Sequence, residues 1–221
     1  MGKSDFNILL ISASPRKNKS QTFVLATEVL AGCEPEKTEI IHLCDYKIEF
    51  CRHCERCHKK VLDCPIKDDV SRILQKMLGA DGIILASPNY INHVTGTMKT
   101  LFDRSSHFIH CKRLLNKYVA GVVSSGSGRD ASVIDYLKHY ALTCGAQFVG
   151  GVSSSVPLSE EQKKQAFKLG VKLASAIKNK KIFLSQMKII EQGKEHFRSI
   201  VIARKTDWQE EYDYWKGKKW L

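Results

Sequence analysis

Residues 6–22 contain FNILLISASPRKNKSQT, an apolar run that leads into a polar loop and then into a helical pattern. An unbroken apolar run that ends in small polar residues is typical of a buried parallel strand. Similar runs predict further strands at 38–43, 81–87, 118–124 and 147–152, and helical patterns lie at about 20–31, 67–79, 97–106, 131–144 and 159–178. Strands that alternate with helices predict an α/β fold with a doubly wound, five-stranded parallel sheet, whose right-handed crossovers place helices on both faces.

The last forty residues are polar, helix-prone and aromatic toward the end. We expect an α/β domain at 1–180 with a cysteine-rich insertion at 44–66. A C-terminal helical extension at 181–221 would pack on its own domain or on a second subunit. This division leaves one core of ordinary size for a chain of 221 residues.

Composition excludes several classes of protein. No apolar run approaches the roughly 18 residues of a membrane-spanning helix, and residues 1–6 lack the apolar core of a secretory signal. We therefore expect a cytoplasmic protein without membrane association. The formal net charge of +12 favours anionic partners. Its lysines and arginines are scattered and no recognition motif accompanies them, so nucleic acid is disfavoured as a partner.

The loop after the first predicted strand is rich in hydroxyl and basic side chains. Ligands of open α/β sheets bind beyond the carboxyl ends of the strands, and a helix N-terminus favours phosphate. Hydroxyls here could surround a phosphate monoester beside a basic side chain: Ser12, Ser14, Ser20, Thr22 and Arg16. Alternatively, Ser20 merely caps the helix and the basic side chains face solvent. The loop lacks glycine and cysteine, which excludes a dinucleotide fingerprint, a P-loop and a thiolate phosphatase cradle.

Two further loops follow predicted strands. Residues 87–92 place Tyr90 between amide side chains, where the ring could stack on or rim a flat ligand. Residues 124–129 contain glycines that allow close approach of the backbone to a ligand. Together with the first loop, these segments outline one site.

Four cysteines crowd into fourteen residues as C-x2-C-x2-C-x6-C-P: Cys51, Cys54, Cys57 and Cys64. Without a secretory signal, such a cluster favours a metal site over disulfides. Bacterial ferredoxins bind [4Fe-4S] clusters with a related C-x2-C-x2-C-x3-C-P run. Structural zinc is the alternative. Residues 54–58 also match the haem-attachment motif, but covalent haem requires export.

The other residues of these types have simpler expected roles. We expect His53 and His58 to be exposed neighbours of the cluster rather than ligands. The isolated cysteines are expected to be small buried hydrophobic residues: Cys33, Cys44, Cys111 and Cys144.

These motifs carry a resemblance to a known family. The S-x-S-P-R of residues 12–16, the S-P-N-Y of 87–90 and the M-K-x-x-x-D-R of 98–104 resemble the NADPH-dependent FMN reductase family over about residues 6–155. The family usually carries a smaller apolar residue at the position of Asn89. The resemblance implies a flavodoxin-like sheet of order 2-1-3-4-5 with FMN as cofactor. The implied contacts are Ser12, Ser14, Arg16, Ser20, Gln21 and Thr22 for the phosphate and Pro88, Asn89, Tyr90, Asn92, Ser124, Ser125, Gly126 and Gly128 for the ring.

The compact cysteine motif followed by I-K-D-D at 66–69 is similar to the iron–sulfur flavoproteins, a subgroup of that family. The six residues before Cys64 depart from the subgroup's motif. This resemblance implies an electron-transfer flavoprotein in which a [4Fe-4S] cluster and FMN exchange electrons. It further implies an acidic donor such as ferredoxin and a homodimer or homotetramer.

Two other functions remain open at this point. The first is an NAD(P)H-dependent reductase of FMN or quinones whose cysteine site holds zinc or nothing. The second is a zinc-bearing module that binds nucleic acid. No conventional acid–base residue is identifiable, so no catalytic residue is predicted.

Overall fold

The centre of the fold is one parallel sheet of five strands. The computed structural model describes residues 5–221. The strands are β1 (Asn7–Ser12), β2 (Lys37–His42), β3 (Gly82–Pro88), β4 (Tyr118–Ser124) and β5 (Gln147–Ser154). Their order in the sheet is β2-β1-β3-β4-β5. The predicted fold class and strand order are confirmed, and each predicted strand end lies within two residues of the observed end.

Nine helices lie between the strands and after them in the described residues 5–221. They are α1 (Gln21–Cys33), α2 (Arg56–Lys59), α3 (Val70–Gly79), α4 (Gly96–Asp103), α5 (Ser106–His110), α6 (Ala131–Thr143), α7 (Glu160–Lys178), α8 (Leu184–Ala203) and α9 (Gln209–Gly217). Short 3-10 turns cover Lys17–Lys19 and Leu43–Asp45. None of these helices is both long and apolar enough to cross a bilayer.

The two faces of the sheet are covered by different helices, because alternate residues of each strand point to opposite sides. Leu9 and Ile11 pack toward α3, α4 and α6, whereas Ile8 and Leu10 pack toward α1 and α7. All four strand residues are at most 1% exposed. Both cores therefore form on a strand that is apolar from Ile8 to Ile11.

Helix α3 begins at Val70, three residues later than the pattern predicted. The reason is that the two acids before it bind the cysteine-rich segment. Asp69 accepts from the backbone N–H of Lys47 at 2.9 Å, and Asp68 accepts from that of Glu49 at 3.0 Å. These carboxylates fix the entrance to the cysteine-rich segment instead of lying in the first turn of the helix.

The C-terminal helices α8 and α9 cover the edge strand β5 and form a small apolar cluster around Trp215. The amide of Gln186 in α8 accepts from the backbone N–H of Phe148 at 2.7 Å and donates to its carbonyl at 2.8 Å. These bonds satisfy an edge of the sheet that a further strand could otherwise pair with. The Trp215 side chain of α9 is fully buried with Cys111 and Val201.

Helices α1 and α7 cross where both carry glycine. A Cβ added to Gly170 would lie 2.0 Å from the carbonyl oxygen of Val29 and 2.9 Å from the Cα of Gly32. Both neighbours are backbone atoms, so a side chain at this position forces the helices apart.

We expect Gly170→Ala to lower the free energy of unfolding by about 3 kcal/mol, because the backbone atoms that the added methyl group meets cannot move aside without separating the two helices. Urea denaturation measures the change. Gly79→Ala is the matched control, since among the described residues nothing lies within 4 Å of an added Cβ there. Its effect should stay within about 0.5 kcal/mol. Equal losses in the two variants would contradict this account of the helix contact.

Candidate functional site

The first loop buries its hydroxyls and exposes its bases. Ser12, Ser14, Ser20 and Thr22 are at most 1% exposed, whereas Arg16 lies on the surface. The hydroxyls surround the N-terminus of α1, where backbone N–H groups are free to bind an anion.

Two of these hydroxyls are unpaired. Within residues 5–221, neither the Ser12 Oγ nor the Ser20 Oγ has a hydrogen-bond partner, although both are buried. Ser20 is the N-cap residue of α1, but its side chain makes no capping bond. The alternative that Ser20 merely caps the helix is therefore wrong in its capping bond, although the basic side chains of the loop do face solvent. Buried hydroxyls without partners are costly. Their chemistry fits a phosphate, which would accept both hydrogen bonds.

The second and third loops are joined by an amide side chain. Asn89 donates from Nδ2 to the Ser125 Oγ at 2.9 Å and to the Arg129 carbonyl at 3.2 Å. Its Oδ1 is buried and has no partner among the described residues. This oxygen is free to accept from a polar edge of a flat ligand.

Tyr90 begins a tight turn at the mouth of the site. Its backbone pairs with that of His93, and the two residues between them, Ile91 and Asn92, have φ of +52° and +60°. The Tyr90 side chain is 52% exposed. Its ring is thus accessible from solvent, and its stacking on a ligand stays a prediction. Asn92 lies on the exposed turn.

Parallel pairing brings the three loops together at the carboxyl edge of the sheet. The backbone N–H of Ala13 donates to the Ala86 carbonyl at 2.8 Å, and that of Asn89 donates to the Ser124 carbonyl at 2.8 Å. The Thr22 and Ser124 hydroxyls are hydrogen-bonded to each other. Pro88 is buried at the end of β3, and Gly126 and Gly128 follow in the third loop.

One residue of this edge was missed by the sequence analysis. Ser154 ends β5 and is 3% exposed, and its Oγ has no partner within the described part of the chain. Its carbonyl accepts from the backbone N–H of Ser125 at 2.9 Å. The serines at the end of β5 were a signal of the same kind as those at the end of β1 and could have identified it.

The four motif cysteines line one pocket of the cysteine loop (residues 51–64), together with Arg104 and Ser106. Cys51 and Cys54 are exposed, whereas Cys57 and Cys64 are half-buried. The cysteines are free thiols in the structure. One pocket therefore brings the four cysteines together beside Ser106 of α5, with Cys51 and Cys54 exposed at the surface.

Arg104 ties this loop to the main domain. Its guanidinium donates to both carboxylate oxygens of Asp68, at 2.6 and 3.0 Å, to the Glu49 carbonyl at 2.7 Å and to the Cys64 Sγ at 3.3 Å. Burial alone would raise the pKa of the Asp68 carboxyl, but hydrogen bonds from Arg104 and the backbone hold it below its usual range. The pair is fully buried and bidentate, the stronger form of such contacts.

Cys57 lies in a less polar setting than Cys51 and Cys54. Burial raises the pKa of the Cys57 thiol to about 11, against a hydrogen bond with Ser106, and the charge of Glu211 adds to the rise. A metal centre with a positive formal charge would reverse this preference by stabilising the thiolate. The donors around the four sulfurs, Arg104 and Ser106, fit a cluster whose thiolates accept hydrogen bonds.

His58 contradicts the expectation that both histidines are exposed. His53 is exposed, but His58 is 5% exposed and its Nδ1 lies 2.5 Å from the Glu211 Oε1 of α9. Cys44 is likewise exposed rather than buried, whereas the other three isolated cysteines are buried as expected. The contact between His58 and Glu211 was not visible from the sequence, because the two residues lie 153 positions apart.

A separate cluster of possible metal ligands comprises His58, His110 and Glu211. Each of them offers one ligand atom, and these atoms lie within 4.8 Å of one another. It is the one such cluster found in residues 5–221.

Comparison with known proteins places this arrangement in a family. Residues 6–161 match the family described as NADPH-dependent FMN reductase. A protein of Archaeoglobus fulgidus named iron-sulfur flavoprotein is 44% identical over 124 residues, which are 54% of this chain and 59% of that protein. The chain thus matches less than two thirds of that relative's length. A second protein of the same name and organism is 30% identical over 96% of this chain and 98% of its own length.

A solved structure of a flavone reductase superposes with a TM-score of 0.65 at 22% identity, over 78% of this chain and 63% of that one. This likeness supports the fold alone. The match over residues 6–161 and the full-length relative carry the assignment. The chain belongs to the iron–sulfur flavoprotein group of the NADPH-dependent FMN reductase family.

Proposed function

We propose that this FMN-dependent oxidoreductase passes electrons between a [4Fe-4S] cluster held by the four motif cysteines and FMN held at the carboxyl edge of the sheet. One observation carries the proposal: the four cysteines line a single pocket anchored by Arg104. Cysteines scattered over the surface could not bind a cluster. Bound FMN stores one or two electrons, and a cluster carries single electrons.

The chain's own residues would bind and orient the flavin. The unpaired hydroxyls of Ser12 and Ser20 donate to the phosphate, and Arg16 adds positive charge from the surface. At the other end, the Asn89 Oδ1 and Tyr90 face the ring. Because these groups sit on loops fixed by the strands, they determine which edge of the flavin stays open to a substrate.

The cysteine motif supports a cluster over zinc. The C-x2-C-x2-C-x6-C-P run is closely related to the run that holds [4Fe-4S] clusters in bacterial ferredoxins, whereas zinc sites generally separate two C-x2-C pairs more widely. The thiolates of such a cluster accept hydrogen bonds. The hydrogen bonds that Cys64 and Cys57 make with Arg104 and Ser106 would tune its potential.

The surface around the cysteine loop fits an acidic electron donor such as a ferredoxin. Arg52 and Lys59 are exposed beside the exposed Cys51 and Cys54. Positive charge next to a surface redox centre speeds encounter with a negative partner. A homodimer or homotetramer is also proposed.

A direct hydride donor is the second candidate, favoured by the family match over residues 6–161. In that case NAD(P)H would reduce FMN, and the cysteine site would hold zinc or nothing. Anaerobic reduction by NADPH in the absence of any protein donor, with zinc and no iron in the purified protein, would favour this function.

We expect Ser20→Ala to weaken FMN binding about tenfold, the value of one hydrogen bond to a charged group. Riboflavin, which lacks the phosphate, should bind both forms equally. Fluorescence titration measures both affinities. Ser185→Ala, an exposed change on α8, should leave both unchanged. A loss of riboflavin affinity equal to that of FMN would place Ser20 away from the phosphate.

Replacement of Cys54 should abolish the cluster yet leave the flavin. We expect Cys54→Ala to lose iron and inorganic sulfide after anaerobic purification and to keep its FMN, because Cys54 is exposed and lies outside the three binding loops. Cys44→Ala, which removes an exposed cysteine outside the motif, should retain iron. Loss of flavin together with iron in Cys54→Ala would show that the two sites are not independent.

Reversal of the basic charges should slow reduction by an acidic protein donor. We expect Arg52→Glu with Lys59→Glu to lower that rate about tenfold at low ionic strength and to lose the effect at high salt, because steering is screened. Stopped-flow kinetics measures the rate. Lys172→Glu, exposed on α7, is the control. Equal slowing in the control would indicate that net charge rather than this surface guides the donor.

A further inference from the structure

Helix α9 and the turn before it bind the cysteine loop through polar contacts. Glu55 accepts from the Trp208 Nε1 at 3.1 Å and pairs with Arg204. The backbone N–H of Val61 donates to the Glu210 Oε2 at 2.7 Å. The C-terminal segment therefore binds the loop just before and just after α2.

The cysteine loop cannot hold its shape alone. Its helix α2 has four residues, fewer than an isolated helix needs. His53, Glu55 and Leu62 have φ of +48°, +57° and +63°, a region that non-glycine residues rarely adopt. Such conformations persist only where surrounding contacts enforce them.

Glu211 supplies the most deeply buried of these contacts. Its side chain is 0% exposed, and its two oxygens accept from the His58 Nδ1 at 2.5 Å and the His110 Nδ1 at 3.1 Å. The carboxylate thus joins α2, α5 and α9. Burial raises the pKa of the Glu211 carboxyl, but the bonds from the two histidines outweigh this and keep it below its usual range.

Aromatic rings close the contact to water. The His58 and His110 rings stack with centroids 4.8 Å apart, and Trp208 stacks on them at 4.6 and 5.0 Å. A buried carboxylate that loses one partner becomes an uncompensated charge, and breaking such a pair is costly. Opening the loop would expose the Glu211 carboxylate to water or leave it without a partner. The free-energy cost of losing these contacts keeps the loop in place.

We propose that α9 is a clamp for the redox centre, in which Glu211 is a positioning residue that holds His58, and with it the adjacent Cys57, in the geometry that retains the cluster. The inference rests on the proposed function. It assigns the C-terminal segment, which lies beyond the family match at 6–161, to the electron-transfer site. The buried negative charge of Glu211 also lowers the cluster's reduction potential, because it disfavours added electrons nearby.

The test compares Glu211→Gln with Asp213→Asn in the full-length holoprotein, purified anaerobically. Both variants remove one carboxylate charge from α9, but Asp213 is exposed and bonds only within its helix, to Gln209. We expect Glu211→Gln to release iron to a chelator about tenfold faster and to keep FMN, with Asp213→Asn unchanged. The midpoint potential of the remaining cluster should shift upward in Glu211→Gln alone, which is the direction expected from the loss of a buried negative charge.

The variant Trp208→Phe keeps the test informative if Glu211→Gln fails to fold. It keeps an aromatic ring over the histidines and removes the hydrogen bond to Glu55, so we expect a smaller acceleration of iron release. Wild-type release rates and potentials in both variants would overturn the clamp. A divalent ion bound to wild type beyond the cluster iron, and lost in Glu211→Gln, would also overturn it, because Glu211 would then be a metal ligand.

Failure of the proposed function gives a different result. Wild-type protein without iron after anaerobic purification would overturn the cluster itself. Amide hydrogen exchange over residues 51–64 then tests the clamp separately. Faster exchange in Glu211→Gln than in Asp213→Asn supports it, and equal exchange overturns it.

Discussion

The parallel alignment of the strands is the constraint on which both candidate sites depend. Every strand ends at the same edge of the sheet, so the loops after β1, β3 and β4 meet there although they are separated by dozens of residues. Direct contacts such as that between Thr22 and Ser124 fix their relative positions. The unpaired, buried hydroxyls of Ser12, Ser20 and Ser154 cost free energy, which the apolar cores on both faces of the sheet offset, and they leave hydrogen-bond donors at this edge for a ligand.

The cysteine loop depends on that framework rather than on its own sequence. It contains one turn of helix and several left-handed residues, and it is fixed from two directions. Asp68 and Arg104 hold its domain side through a buried bidentate ion pair, while Glu211 holds its outer side. Rigid placement of this kind is what a redox centre requires, since changes in ligand geometry and nearby hydrogen bonds alter its potential.

The C-terminal helices thereby have two structural roles. Gln186 satisfies the backbone of Phe148 at the edge of the sheet, and α9 covers the cysteine loop. The family match ends at residue 161, yet a full-length relative aligns over 96% of this chain. A segment outside the shared domain can distinguish one group within a family, because it adds contacts that the common fold lacks.

The sequence by itself determined the strands, most helices, the hydroxyl-rich loop and the cysteine motif. Each depends on local periodicity or on close spacing, as in residues 6–22 and 51–64, and such patterns are physical consequences of strand and helix geometry. Tertiary structure alone decided the burial of His58, the start of α3 at Val70 and the place of Glu211. These features come from contacts between residues far apart in the chain, where burial and pairing of charges outweigh local preference.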